Sequence, residues 1–186
     1  MSTTTIIILA VAIVAIAGAA FWYFEKRRTE HLAGRFGPEY DRTVTEFGDR
    51  HKAESELERR AKRVEHFPIR DLSREDRERF SQAWKADQAR FVDEPADAVL
   101  RAHELITELM RARGYPVSAQ FEQNAEDLSV EHPRVVEHYR IACQIAARKQ
   151  DGKADTEDLR DAMKHYRALF EELLGARVSP IEEVKR

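Results

Sequence analysis

The chain contains seven histidines and one cysteine, the side chains best suited to metal binding or nucleophilic catalysis. A zinc site on one helix needs two ligands three to five residues apart, as in the HExxH pattern. His103 begins such a pattern, but Thr107 stands where the second histidine belongs. His132 and His138 are too widely spaced, and His165 falls on a different predicted helix from His138. The spacing therefore predicts no metal site.

The single cysteine, Cys143, lies on the same face of a predicted helix as Tyr139 and Ala146. That position is typical of a buried, inert thiol, whereas a nucleophile needs a base and an orienting acid directed at it. No Walker loop, dinucleotide fingerprint or GxSxG elbow is present. We therefore assign no catalytic, cofactor-binding or metal residues, and an enzyme is the less favoured class.

Basic residues cluster at two places, Arg59-Arg60-Lys62-Arg63 and Arg111-Arg113. Acidic residues are mixed into the first cluster, and neither cluster has the aromatic ladder or helix-turn-helix pattern of a nucleic-acid interface. The net charge is only −3, with both signs interleaved, so no overall field attracts nucleic acid. Both clusters are interpreted as solvated helix faces, and no nucleic-acid partner is predicted.

Residues 6–24 form an uninterrupted run of apolar and small side chains. At ~1.5 Å per residue this run spans about 28 Å as a helix, close to the hydrocarbon thickness of a bilayer. Trp22 and Tyr23 lie at one end of the run, where such rings prefer the headgroup layer, and Lys26, Arg27 and Arg28 follow. The sequence predicts a single-pass anchor in the inner (plasma) membrane, with the lipid bilayer as partner and the C-terminal domain in the cytoplasm.

The main alternative for this run is a cleaved signal peptide, with Ala17-Gly18-Ala19 as a small-residue cleavage site. A signal peptide has a basic n-region and a shorter apolar stretch, and this chain has neither. A domain on the outer side of the membrane, or a secreted one, stays open as an alternative localisation.

After the anchor, Gly34, Gly37 and Pro38 predict a hinge. Residues 39–65 are strongly charged and are interpreted as one solvated stalk helix, in which Glu58 and Lys62 form a favourable i,i+4 pair. Pro68 ends this stretch.

The rest of the chain predicts a helical bundle from its helix-start and helix-stop signals. Ser73 begins a helix with an aromatic stripe, Pro95 begins a second, and Asp155 or Thr156 begins the last, which Gly175 ends. Residues 118–128 are expected to form one or two helical turns. The segment from Ser129 to Pro133, which includes Glu131 and His132, is interpreted as the start of a further helix. The aromatic stripe is expected to be core and consists of Phe80, Trp84 and Phe91.

Five stretches resemble a family of small bacterial membrane-anchored helical proteins that are usually labelled hypothetical or secreted. The stretches are RFGPEYDRTV from Arg35, RFVDEPADAV from Arg90, MRARGYPV from Met110, DLSVEHPRVVEHYR from Asp127 and TEDLRDAMKHYRALFEELL from Thr156. The resemblance implies an architecture and supplies no catalytic residues. Its "secreted" label conflicts with the orientation that the charge rule gives.

The predicted fold is all-α: one N-terminal transmembrane helix, a charged stalk helix and a roughly four-helix bundle. The expected segments are the anchor with its basic flank (1–28), hinge and stalk (29–67), bundle (68–175) and C-terminal tail (176–186). The predicted function is a non-enzymatic interaction or scaffold module at the membrane, with an unidentified protein partner. The alternatives are an enzyme with a polar site inside the bundle and a lipid- or ligand-binding module.

Overall fold

The computed structural model describes residues 3–175, and within them every side chain except those of residues 3–11, 14 and 150. The predicted tail, 176–186, lies outside the described residues. The chain divides into two compact units, Met1–Glu58 and Arg59–Arg186. All regular elements of the described part are helices, which confirms the all-α class. In chain order they are α1 (Thr3–Phe36), α2 (Pro38–Phe47), α3 (Arg50–Val64), α4 (Arg74–Arg90), α5 (Pro95–Ala112), α6 (Phe121–Glu131), α7 (Val136–Gln150) and α8 (Thr156–Leu173).

The first unit contains α1, α2 and the beginning of α3. Helix α1 ends at Phe36, so the chain breaks at Gly37, which has φ 49°, while Gly34 lies within α1 and Pro38 occupies the first turn of α2. The single stalk helix predicted for residues 39–65 is wrong, because α2 stops at Gly48. Gly48 adopts the left-handed conformation that ends helices, and the Asp49 carboxylate then accepts a hydrogen bond from the amide of Lys52 at 2.8 Å.

The predicted membrane span, residues 6–24, falls within α1. Residues 6–11 and 14 of that run are among those whose side chains lie outside the described part. As far as the described residues extend, the structure contains no helix with both the length and the apolar character needed to cross a membrane.

The second unit is a helical bundle, as predicted. Helix α8 packs against α5 and α7, α4 packs against α5, and α6 packs against α7. The aromatic stripe of α4 belongs to the core as expected: Phe80 and Trp84 are buried, and the Trp84 ring stacks on Phe170 of α8 with centroids 4.8 Å apart. Phe91 is partly buried against the same core.

The bundle differs from the prediction between residues 118 and 136. The one or two turns expected here are a full helix, α6, and Ser129 and Glu131 belong to its last turns instead of starting the next helix. Ser129 is fully buried and donates a hydrogen bond from Oγ to the carbonyl oxygen of Glu126, one turn earlier in α6. His132 ends α6, and α7 begins at Val136.

Local signals fix the other helix ends. The Ser73 Oγ accepts a hydrogen bond from the amide of Asp76, and Asp155 forms a reciprocal capping box with Asp158. Helix α5 is followed by Gly114 at φ 94°, packed against the backbone of Pro68. A Cβ at Gly114 would overlap the Pro68 carbonyl oxygen and lie 2.8 Å from its carbonyl carbon, so only glycine fits this turn.

Candidate functional site

A polar network lies inside the bundle where α5, α7 and α8 meet. The Nδ1 of His103 lies 3.0 Å from the hydroxyl of Tyr166 and 3.8 Å from the Sγ of Cys143. Tyr166 also directs its hydroxyl at the Cys143 sulfur, at 3.9 Å. Asn124 of α6 donates to the hydroxyl of Tyr139 at 3.4 Å. The sequence did not predict this grouping, because its members come from four helices.

The electrostatics of this network favour neutral side chains. Burial raises the pKa of the Cys143 thiol to about 11, and hydrogen bonds to Tyr166 and Tyr139 oppose that rise only in part. Burial also lowers the pKa of His103. At neutral pH the thiol is therefore protonated and the imidazole is uncharged, the reverse of the thiolate–imidazolium pair that a cysteine nucleophile requires. The structure confirms the predicted buried thiol.

A second cluster surrounds His132. Its Nδ1 lies 3.0 Å from Oε1 of Glu172 on α8, and its ring centroid is 6.5 Å from that of Tyr115. Burial lowers the pKa of His132, whereas the bond to Glu172 raises it. Among the described residues, neither His132 Nε2 nor the Tyr115 hydroxyl has a hydrogen-bond partner. The carboxylate–histidine pair joins the end of α6 to α8, and in the part of the chain that the structure describes no nucleophile contacts Nε2 to complete a catalytic triad.

A third cluster is the pair His138 and His165, which face each other from α7 and α8. Their Nδ1 atoms are 2.7 Å apart and their ring centroids 5.0 Å apart. Both side chains are half-buried. At this distance one Nδ1 donates a hydrogen bond to the other, so one ring carries its proton on Nδ1 and its partner does not. Within residues 3–175 no group of three or more metal-ligating side chains is assembled.

The first basic cluster is a solvated face only in part: Arg59 and Lys62 are exposed as predicted, whereas Arg60 is buried and Arg63 partly buried, contrary to the prediction. Arg60 is 2% exposed and donates to Oε1 of Glu126 at 3.3 Å. Arg63 donates from Nε to Oδ1 of Asp127 at 2.7 Å and from Nη2 to Oε2 of Glu126 at 3.0 Å. Asp127 is itself 3% exposed. The carboxylates of α6 are more than sixty residues away in sequence, so the packing of α6 gives the buried Arg60 and the partly buried Arg63 their ion-pair partners.

In the first unit, Glu54 of α3 is a buried polar centre. Its Oε1 accepts hydrogen bonds from the hydroxyls of Thr29, at 2.7 Å, and Tyr40, at 2.9 Å. Thr29 belongs to α1 and Tyr40 to α2, so one carboxylate joins all three helices. Glu58, predicted to pair with Lys62, pairs with Arg28 of α1 at 2.6 Å. These hydrogen bonds and this ion pair hold the last third of α1 against the other helices of its unit.

Residues 21–24, the aromatic belt, lie just before the basic residues of α1. Phe21, Trp22 and Phe24 are 65–70% exposed, an unusual amount for side chains of this size. The Nζ of Lys26 lies 5.5 Å from the Trp22 ring centroid, and the guanidinium carbon of Arg27 lies 4.9 Å from that of Tyr23. The belt thus combines exposed rings with adjacent cations on one helix.

The described residues thus define a two-unit, all-helical protein whose polar clusters are mostly satisfied by internal contacts. Comparison with known proteins finds no matching family model, no similar curated protein and no similar solved structure.

We expect the bundle to lose stability as the pH falls below about 6.5, the ordinary histidine pKa. Burial lowers the pKa of His103 and His132 in the folded state, so the unfolded chain binds more protons in this range. Above about pH 6.5 the two histidines make their full contribution to the free energy of unfolding. As the pH falls from there toward the lowered pKa of the folded state, that contribution declines by up to about 1.4 kcal/mol per pH unit for each histidine. Denaturation midpoints measured between about pH 7.5 and about pH 5.5 report this decline.

The variants His103→Gln and His132→Gln should each flatten the pH dependence by up to one proton. His66→Gln is the matched control, because His66 is exposed. An unchanged slope in both core variants would contradict the assignment.

Proposed function

We propose that the protein is a membrane-tethered, non-enzymatic interaction module, with residues 6–24 as a single-pass anchor and the helical units on the cytoplasmic side. The aromatic belt carries the proposal. Exposed tryptophan and tyrosine rings beside Lys26 and Arg27 match the composition of a helix segment at the headgroup layer. The apolar run before the belt has the length of a bilayer span, and the cations after it favour the cytoplasmic side.

The polar clusters support a non-enzymatic role. The Cys143 thiol is protonated and buried, and the His132–Glu172 pair has no hydroxyl or thiol at hydrogen-bond distance from Nε2 among the described residues. Arg60 and Arg63 are held by carboxylates of the same unit. These groups therefore serve to stabilise the bundle. A membrane tether would add a different benefit, because it raises the effective concentration of the protein toward partners at the same membrane. The family resemblance is consistent with this architecture and names no activity.

The anchor is tested by membrane fractionation followed by alkaline carbonate extraction. The full-length chain should stay in the membrane pellet, whereas a chain lacking residues 6–24 should move almost entirely to the supernatant. A full-length chain that carbonate releases would refute the anchor.

Orientation is tested with a C-terminal reporter that is active on only one side of the membrane. Replacing Lys26, Arg27 and Arg28 with glutamine should weaken the orientation bias. A matched control makes the same charge change at three exposed positions of the second unit, Arg74, Lys85 and Arg90. An external reporter in the unmodified chain would refute the cytoplasmic orientation and leave the anchor intact.

A further inference from the structure

A surface cavity of about 340 Å³ lies in the first unit, between α1 and the first residue of α3. Five of its lining residues belong to α1 and recur at positions i, i+3, i+4, i+7 and i+8, so they share one face of that helix. The volume is within the range of cavities that hold small ligands. The lining consists of Trp22, Glu25, Lys26, Thr29, Glu30 and Arg50.

The charged groups around this cavity balance each other. Glu25 and Glu30 supply two carboxylates, and Lys26 and Arg50 supply two cations. The Nζ of Lys26 lies 3.8 Å from Oε1 of Glu30, which is longer than a hydrogen bond, and both side chains are more than half exposed. These two groups therefore keep hydrogen-bonding capacity for a ligand that carries both signs of charge.

Arg50 is positioned at the cavity by the buried carboxylate of Glu54. Its Nε lies 3.6 Å from Oε1 of Glu54, the same oxygen that accepts hydrogen bonds from Thr29 and Tyr40. Because Glu54 is fixed by contacts with α1 and α2, the guanidinium beside it has a defined place relative to α1. A positioned guanidinium is well suited to binding a phosphate group.

The depth of the cavity matches the lipid headgroup layer when residues 6–24 form the proposed anchor. Residues 25–30 follow that run directly, and at ~1.5 Å per residue they cover about 9 Å of the axis of α1. The headgroup layer on each side of a bilayer is about 5–8 Å thick. The cavity and the headgroups of one leaflet therefore lie at the same level.

The charges of the cavity distinguish between headgroups. An anionic headgroup such as that of phosphatidylglycerol would meet two carboxylates as well as the two cations, whereas a headgroup with a phosphate and an ammonium matches both signs. The primary ammonium of ethanolamine donates three hydrogen bonds, as that of lysine does, and carboxylates accept them. The quaternary ammonium of choline has no N–H and is recognised by aromatic faces. The Trp22 ring already contacts Lys26, with Nζ 5.5 Å from the ring centroid, so the cavity favours ethanolamine.

We propose that this cavity, the headgroup cavity, binds the phosphoethanolamine headgroup of a membrane phospholipid. The phosphate contacts Lys26 and Arg50, and the ammonium contacts Glu25 and Glu30. The inference rests on the proposed membrane anchor and adds a particular lipid as its partner. A lipid bound there fixes the depth of α1 at the membrane surface.

The test is native mass spectrometry of the full-length protein released from lipid nanodiscs. The nanodiscs contain equal amounts of phosphatidylethanolamine, phosphatidylcholine and phosphatidylglycerol with identical acyl chains. We expect the protein to retain phosphatidylethanolamine about three- to tenfold more often than either other lipid, the preference that two exposed charge contacts of ordinary strength provide.

The double variant Glu25→Gln/Glu30→Gln tests the assignment of the ammonium. Its preference should change to phosphatidylglycerol, because the two cations of the cavity remain and the carboxylates that oppose an anion are gone. Glu75→Gln/Glu78→Gln is the matched control, since it removes two exposed carboxylates of the second unit. This control should retain lipids as the unmodified protein does.

The unmodified protein decides the matter even where a variant fails to fold. Retention of the three lipids in equal proportions would overturn the headgroup cavity, as would a preference for phosphatidylcholine or phosphatidylglycerol. An ethanolamine preference that the double variant keeps would overturn the role of the two carboxylates. Carbonate extraction separates this inference from the proposed function: a chain that stays in the membrane without an ethanolamine preference refutes the headgroup cavity alone, whereas a chain that carbonate releases refutes the anchor and the cavity together.

Discussion

Replacing Gly114 with alanine is expected to destabilise the second unit by about 2–5 kcal/mol. A residue with a Cβ costs about 1–2 kcal/mol in the left-handed region, where Gly114 has φ 94°. The new methyl group would also overlap the Pro68 carbonyl, and overpacking of this kind costs about 1–3 kcal/mol. Because the overlapped atoms are backbone, no rotamer change relieves the clash. Chemical denaturation of the detergent-solubilised protein measures the loss.

Gly152→Ala is the matched control for this prediction. Gly152 has φ 71°, and a Cβ there would have no atom within 4 Å. It should therefore show the conformational cost alone, about 1–2 kcal/mol. Equal losses at the two positions would show that the close approach of Pro68 to Gly114 contributes nothing.

Removing Arg63 is the second change with a large expected effect. In Arg63→Leu the Asp127 carboxylate keeps its burial, which already raises its pKa, and loses the guanidinium that opposes that rise. Asp127 is buried but Arg63 is 24% exposed, so the cost should lie between the at most about 1 kcal/mol of an exposed pair and the about 3–5 kcal/mol of a fully buried one. The same denaturation measurement gives the loss in free energy of unfolding.

The double variant Arg63→Leu/Asp127→Leu separates a buried charge from lost packing. It should be more stable than Arg63→Leu alone, since no uncompensated carboxylate remains. Arg74→Ala is the exposed control: Arg74 pairs with Glu78 at 3.1 Å in solvent, and its removal should cost less than about 1 kcal/mol. A double variant that is less stable than Arg63→Leu would contradict the ion-pair explanation.

Local signals in the sequence were sufficient to predict most of the helix ends. Ser73, Pro95 and Asp155 mark helix starts through bonds or backbone angles that involve only a few neighbouring residues. The break between α2 and α3 carried the same kind of signal, a glycine followed by a capping aspartate, and was missed within a run of charges. Helix α6 was predicted too short because buried polar residues, among them Asn124 and Ser129, interrupt its apolar period.

The candidate site could not be predicted in the same way. His138 and His165 are 27 residues apart, and Arg63 and Asp127 are 64 apart. Whether such residues meet depends on how helices pack, which no spacing rule for a single helix contains. The sequence identified the chemical types, and the tertiary structure decides which pairs they form.

Helix α1 has a mechanical consequence for a tethered chain. It continues without a break from the apolar run to Phe36, and Leu32 and Phe36 are buried within it. Residues 25–36 add about 18 Å of helix beyond the aromatic belt, and the hinge at Gly37 comes only after them. A flexible linker after the proposed anchor would let the first unit reorient freely relative to the membrane. If residues 6–24 form the proposed anchor, the continuous helix would instead transmit tilt or rotation of that anchor to the helices that Glu54 joins to α1.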